Sequence, residues 1–176
     1  MLAVIHSLPA FQHLVSEILA GSPLKGLGLP RAARLPVLAA LHAELNLPLL
    51  FITSRTDRAL GLFDELGFWA PKIERRLFPE PNPMFYERGA WGTVTRRDRL
   101  QALTALAQFH LPGADPAAQT PLLVAPIRAV MTRTLPRRDF LKASRKLSAG
   151  QEIKPEQLQR EWVAVGYQHA EIVFEP

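Results

Sequence analysis

"NLPLLFITS", residues 46–54, is a short continuous apolar run closed by polar residues. A strand with one wet face alternates apolar and polar side chains, whereas an unbroken run reads as a strand buried on both faces, as in parallel sheets. Forward of it, residues 55 to 66 read as a helix with Ala59, Leu60, Phe63 and Leu66 inward and Gly67 as its C-terminal stop. Behind it, residues 34 to 46 read as a helix with Pro36 in its first turn, where a missing N–H is tolerated. "PLLVAP", 121–126, is a second buried-strand run, followed by a helical segment to about Arg133. Strand, helix, strand, helix with continuous apolar strands predicts an α/β fold built on a parallel sheet.

The remaining segments fill in around that frame. Residues 9 to 20 read as a helix whose apolar face holds Phe11, Leu14, Val15, Ile18 and Leu19. A short strand is expected at 76–78, then a long irregular link, "PEPNPMFYERGAWGT", 79–93. Thr95 and Asp98 stand at capping-box spacing ahead of a helix over 96–110, with Leu100, Leu103 and Leu106 on one side. "LPGADPAAQTP", 111–121, reads as a linker. Texture changes near Pro136. "RRDFLKASRKLSAGQ", 137–151, is basic and suggests a weak alternating strand at 142–147. Pro155 then starts a helix to Val165, Gly166 ends it, and "YQHAEIVFEP" begins another strand. The expected division is 1–136 and 137–176, with the chain a fragment that stops inside a strand-rich second unit.

The 176 residues suit one domain or one and a fraction, and a hydrophobic content of 48% can build a core. The absence of cysteine excludes disulfides, thiolate metal sites and cysteine nucleophiles, and fits a reducing, cytoplasmic setting. A net charge of +5 is compatible with nucleic acid, with an acidic partner, or with a solvated surface. The N-terminus has no basic n-region, and His13 and Glu17 interrupt its apolar stretch, so no signal peptide is read there. No apolar run approaches the length of a membrane span.

"GLGLPRAARL", 26–35, has the outline of a phosphate-binding loop, G-x-x-x-x-G-K-[ST], counted from Gly28. Ala33 stands where the second glycine belongs, Arg34 replaces the lysine, and Leu35 replaces the hydroxyl that would ligate Mg²⁺. Pro30 has no N–H to offer. These residues leave a relic loop or a plain loop-to-helix junction, and count against nucleotide hydrolysis. "DELG", 64–67, lies within a helix, not at the end of a buried strand, and reads as solvated charge. His6, His13, His42, His110 and His169 lack metal-ligand spacing, and no serine sits in a nucleophile elbow. The basic groups at 75–76, at Arg96, Arg97 and Arg99, and at 133–146 each read as solvated when taken alone. Arg133, Arg137, Arg138, Lys142, Arg145 and Lys146 are the best candidates for an electrostatic partner surface. Phe78, Phe85, Tyr86 and Trp91 flank the irregular link and are expected to pin it to the sheet.

Six segments in order carry a resemblance: "GLGLPRAARLPVLAAL", "LPLLFITSRTDRALGLFDEL", "RRLFPEPNPMFYE", "RLQALTAL", "PLLVAPIRAVMTRTLP" and "LSAGQEIKPEQLQREWVAVGYQHAEIVFEP". Together they resemble the N-terminal part of bacterial transcription-repair coupling factors, in the module similar to the excision-repair subunit UvrB. The resemblance implies a RecA-like (P-loop NTPase-like) first domain with a degenerate loop at Gly28, Ala33, Arg34 and Leu35, followed by the start of a small α+β domain that binds UvrA. It implies no catalytic residue, cofactor or metal in this fragment. ATP and Mg²⁺ would belong to a downstream motor that translocates on double-stranded DNA and displaces stalled RNA polymerase. The UvrA-contacting residues are expected beyond Pro176. The alternatives are a live UvrB-type ATP-binding subunit and a basic module that binds DNA directly.

Overall fold

The computed structural model describes residues 2–22, 26–81, 91–108, 119–145, 147 and 149–164. The chain divides into two compact units, Met1–Arg133 and Thr134–Pro176. The first contains α1 (Leu2–His6), α2 (Pro9–Leu19), a 3₁₀ turn (Arg31–Ala33), α3 (Arg34–Leu45), β1 (Leu49–Thr53), α4 (Thr56–Trp69), β2 (Arg75–Leu77), α5 (Thr93–Ala107), β3 (Leu122–Pro126) and α6 (Ile127–Met131). The second contains α7 (Arg137–Ala143) and α8 (Pro155–Ala164).

The fold of the first unit is mixed α/β. Its three strands run parallel in the order β1–β3–β2, with Leu49 and Arg75 both level with Leu122, and Phe51 and Leu77 both level with Val124. The step from β1 to β2 passes over β3, and the step from β2 back to β3 runs the other way. Right-handed crossovers in opposite directions place their helices on opposite faces. The cores follow that rule. On one face, Leu122 and Val124 pack with Leu35 of α3 and with Ala59 and Leu66 of α4. On the other, Leu123 and Ala125 pack with Phe78, Ala102 of α5 and Ala129 of α6. β3 is therefore buried along its whole length, as an unbroken apolar run requires. A third cluster, Phe11, Val15 and Ala40, holds α2 against α3.

β1 departs from the expectation of burial on both faces. It is an edge strand, and α5 lies over β2 and β3 instead, so Leu50 and Ile52 remain 49% and 44% exposed while Phe51 and Thr53 turn inward. α4 runs through Gly67 to Trp69. Gly67 is not a stop: a β-carbon there would lie 2.8 Å from Nη2 of Arg75, whose guanidinium also stacks on Phe63 at 5.2 Å. Within α4, Leu60 is exposed, and Leu62 takes its expected place beside the core. Leu19 of α2 is likewise exposed.

α5 begins at Thr93, with extended Gly92 as its N-cap and the Arg96 N–H donating to the Gly92 carbonyl at 3.0 Å. The expected Thr95–Asp98 capping box therefore falls inside the first turns, and Gly92 takes the N-cap position instead of Thr95. Its buried face carries Arg99 and Ala102, whereas Leu100 is half exposed. In the second unit, the strand expected at 142–147 is not seen among the described residues: 142 and 143 belong to α7, and 144, 145 and 147 carry no regular structure. "RRDFLKA" is rich in strong helix formers, and that preference outweighs the weak alternation. α8 starts at Pro155 as expected. Phe85, Tyr86, His110, Lys146, His169 and the strand expected at 167–176 lie outside the described residues.

Candidate functional site: the loop ahead of the third helix

The loop at 26–30 runs into the 3₁₀ turn and then α3. Three backbone donors along this stretch are used internally. Leu29 N–H donates to Leu27 O at 2.9 Å, Ala33 N–H donates to Pro30 O at 2.9 Å, and Arg34 N–H donates to Arg31 O. Pro30 has none. A phosphate loop works by aiming successive N–H groups outward at the anion, and here they close a turn. Gly28 lies in open space, where a β-carbon would touch nothing within 4 Å, so no close approach requires glycine. Ala33 adopts an ordinary right-handed conformation, φ −88°, which needs no glycine either.

Leu35 decides the chemistry. It occupies the register of the metal-ligating hydroxyl, and it is 3% exposed, packed into the cluster of Ala59, Leu66, Leu122 and Val124. The position points into the core and anchors α3 to the sheet. Arg34, beside it, is exposed to solvent.

A cleft of about 520 Å³ opens where the loop meets the carboxyl end of β1. Arg31, Ala32, Arg34 and Leu35 form one wall, Phe51 to Ser54 the floor, and Arg58, Leu62 and Glu65 of α4 the other wall. Arg55 is occupied elsewhere, since its Nε and Nη2 each donate to an Asp57 carboxylate oxygen at 3.0 Å. Those hydrogen bonds hold the Asp57 carboxyl below its ordinary pKa. Thr53 Oγ1 donates to the Arg55 carbonyl at 2.9 Å. Asp64 and Glu65 of the "DELG" segment are solvent-exposed on α4, as expected, although Glu65 also faces the cleft.

The arginines at 96, 97 and 99 do not behave alike. Arg99 is 2% exposed, and its guanidinium lies 4.0 Å from the Phe78 ring and 5.0 Å from that of Trp91. Its Nη1 donates to the carbonyls of Pro79 at 2.8 Å and Ala129 at 3.2 Å. Burial lowers its pKa from the ordinary arginine range to about 10, so it remains a cation at neutral pH. The helical period alone places position 99 on the inward face with Ala102 and Leu106, a signal overridden by counting it as charge.

His42 is the second buried polar group that spacing did not single out. Its Nε2 donates to the Thr120 carbonyl at 2.8 Å, while Asn46 Oδ1 accepts from the Thr120 N–H and hydroxyl, each at 3.2 Å. These bonds tie the C-terminus of α3 to the entrance of β3. Burial lowers the His42 pKa, and the Thr120 hydrogen bond opposes that shift. Among the described residues, no group of three or more His, Asp or Glu could hold a metal ion.

The other basic candidates are dispersed. Arg133 closes the first unit, whereas Arg137, Arg138, Lys142 and Arg145 belong to the second. Arg138 and Lys142 stand four residues apart on one face of α7. Arg145 is paired with Glu161 of α8. Among the described residues, no helix is long and apolar enough to cross a membrane.

A mixed α/β fold on a parallel sheet, with a phosphate-loop outline in which three donors are spent internally and a core leucine stands at the position of the hydroxyl, is the class of protein that fold and site define. The chain is similar to the transcription-repair-coupling factor of Myxococcus xanthus, 29% identical over an alignment of 171 positions that covers 93% of this chain. It is similar also to the transcription-repair-coupling factor of Bacillus subtilis (strain 168), 29% identical over 150 residues, or 85% of this chain. The resemblance to transcription-repair coupling factors is thus borne out. The chain spans 13% and 12% of the length of these two relatives. No family model matches it.

Proposed function

We propose that the chain is a non-catalytic adaptor module of a transcription-repair coupling factor, with residues 1–136 a RecA-like domain carrying a dead nucleotide loop and residues 137–176 the start of a UvrA-binding domain. The observation that carries this reading is the burial of Leu35 in the core at the register of the metal ligand. A leucine side chain, 3% exposed, has no oxygen to offer Mg²⁺, and the three N–H groups spent within the loop are not free to cradle a triphosphate. The similarity to two coupling factors supports the assignment of the parent.

In this reading the parent is a cytoplasmic, ATP-dependent translocase on double-stranded DNA that removes stalled RNA polymerase and recruits UvrA. Its ATP and Mg²⁺ sites lie in a motor elsewhere in the longer protein. Arg133, Arg137, Arg138, Lys142, Arg145 and Lys146 are the candidate contacts for an acidic partner or DNA. Fluorescent-ATP binding to the 176-residue chain, with and without Mg²⁺, tests the central claim. No Mg²⁺-dependent binding and no phosphate release are expected. Micromolar Mg²⁺-dependent binding that Arg34→Ala abolishes would make the chain a live UvrB-type subunit instead. Duplex DNA binding that falls steeply with salt would favour a direct DNA-binding module.

A further inference from the structure

The cleft beside the loop has lost the means to hold a metal-bound triphosphate and has kept cations. Arg31, Arg34 and Arg58 come from the 3₁₀ turn, the start of α3 and the first turn of α4, and all three line the same concavity. None of the three side chains has a hydrogen-bond or ion-pair partner among the described residues, in contrast to neighbouring Arg55, which closes on Asp57. The cleft contains one opposing carboxylate, Glu65, so positive charge is in excess. Leu35, Phe51, Ile52 and Leu62 give part of the lining an apolar character, and such a lining strengthens electrostatic contacts made beside it. Ser54 adds a hydroxyl.

We propose that this cleft binds a small phosphorylated molecule of the diphosphate class through Arg31, Arg34 and Arg58, without a divalent metal. A guanidinium is a rigid fork of donors that matches phosphate oxygens bidentately, and it carries its own charge where an amide nest would need Mg²⁺. Three forks on three elements, around about 520 Å³, suit linked phosphates better than a single one. The position also fits the general placement of ligands at the carboxyl ends of parallel strands. Binding of this kind involves no turnover, so it adds to the adaptor reading without depending on it.

Titration calorimetry of the whole 176-residue chain with inorganic pyrophosphate, at low salt in EDTA, tests the site. Saturable one-to-one binding is expected, with no gain on adding Mg²⁺. Arg34→Ala and Arg58→Ala should each weaken it about tenfold, the loss of one charged hydrogen-bonding group. Glu65→Gln should tighten it, and Arg97→Ala, remote and paired with Asp98, should leave it unchanged. Parallel titrations with inorganic phosphate and ADP distinguish a bare phosphate ligand from a nucleotide. The site is overturned if pyrophosphate gives no saturable heat, if the double variant R34A/R58A binds it as well as the parent, or if a DNA duplex binds through these arginines and pyrophosphate does not compete. Any of those results leaves the adaptor reading standing. Mg²⁺-dependent ATP turnover would remove that reading and leave metal-free pyrophosphate binding to be judged by the same variants.

Discussion

Restoring the phosphate-loop consensus should break the protein before it restores any chemistry. Leu35→Ser returns a hydroxyl to the metal-ligand register, but position 35 is 3% exposed between Ala59, Leu66, Leu122 and Val124. Removing most of a buried leucine costs about 2–5 kcal/mol through lost transfer energy and an unfilled cavity. A buried hydroxyl with no partner adds about 1–3 kcal/mol. The expected loss is on the order of 4 kcal/mol, a large part of the roughly 5–15 kcal/mol that holds a domain together. Urea unfolding followed by circular dichroism measures it directly, and Ala33→Gly and Arg34→Lys serve as companions at exposed or half-exposed positions, each expected to cost under about 1 kcal/mol. The triple variant carrying Gly, Lys and Ser should be less stable than the parent and still fail to bind Mg²⁺–ATP. A Leu35→Ser protein within about 1 kcal/mol of the parent, or a triple variant that binds Mg²⁺–ATP without losing stability, would refute the reasoning.

Arg99→Ala should destabilise by about 3 kcal/mol, because it empties a buried position and strands the Pro79 and Ala129 carbonyls, while Arg97→Ala on the exposed face should stay within about 0.5 kcal/mol; the same urea titration compares them. His42 has a lowered folded pKa, so the unfolded chain takes up the proton first, and stability is whole above the ordinary value of 6.5 and falls as pH drops below it. Melting temperature should therefore decline between about pH 7 and about pH 5, and His42→Gln should flatten that slope. Gly67→Ala should gain no stability in the parent despite its helical position, since the new methyl meets the Arg75 guanidinium. In an Arg75→Ala background it should gain about 1 kcal/mol, a sign of coupling that a double-mutant cycle reads.

Much of the first unit was legible because its signals are local. β3 announces itself as an apolar run, and it is the strand covered on both sides. The same pattern misled at β1, because Leu50 and Ile52 are apolar whether or not a helix covers them, and coverage is a property of topology. Gly67 looked like a stop because glycine usually is one. Its actual cause, the approach of Arg75 from a strand eight residues later, has no local trace. Arg99 stands among charged neighbours in the sequence, although the period of α5 turns it inward. The compensation that makes its burial tolerable comes from two aromatic rings and two carbonyls outside the helix. At the loop, the missing hydroxyl was legible at once. That Leu35 fills the core, and that three arginines share one cleft, depended on where α4 and β1 lie.

The substitutions along "GLGLPRAARL" are not independent losses. Pro30 fixes the backbone that enters the 3₁₀ turn and supplies the carbonyl that the Ala33 N–H takes up. Ala33, free of any need for a left-handed conformation, lets the turn pass straight into α3. Leu35 then holds that helix to the sheet through Leu122 and Val124. Each residue that removes a piece of nucleotide chemistry strengthens the junction between loop and core. Three backbone donors of the loop are spent on a fixed helix start, and Arg31 and Arg34 are displayed from that start. The anion-binding variants and the Leu35 variants therefore probe two consequences of one rearrangement, the first through charge at the rim and the second through packing beneath it.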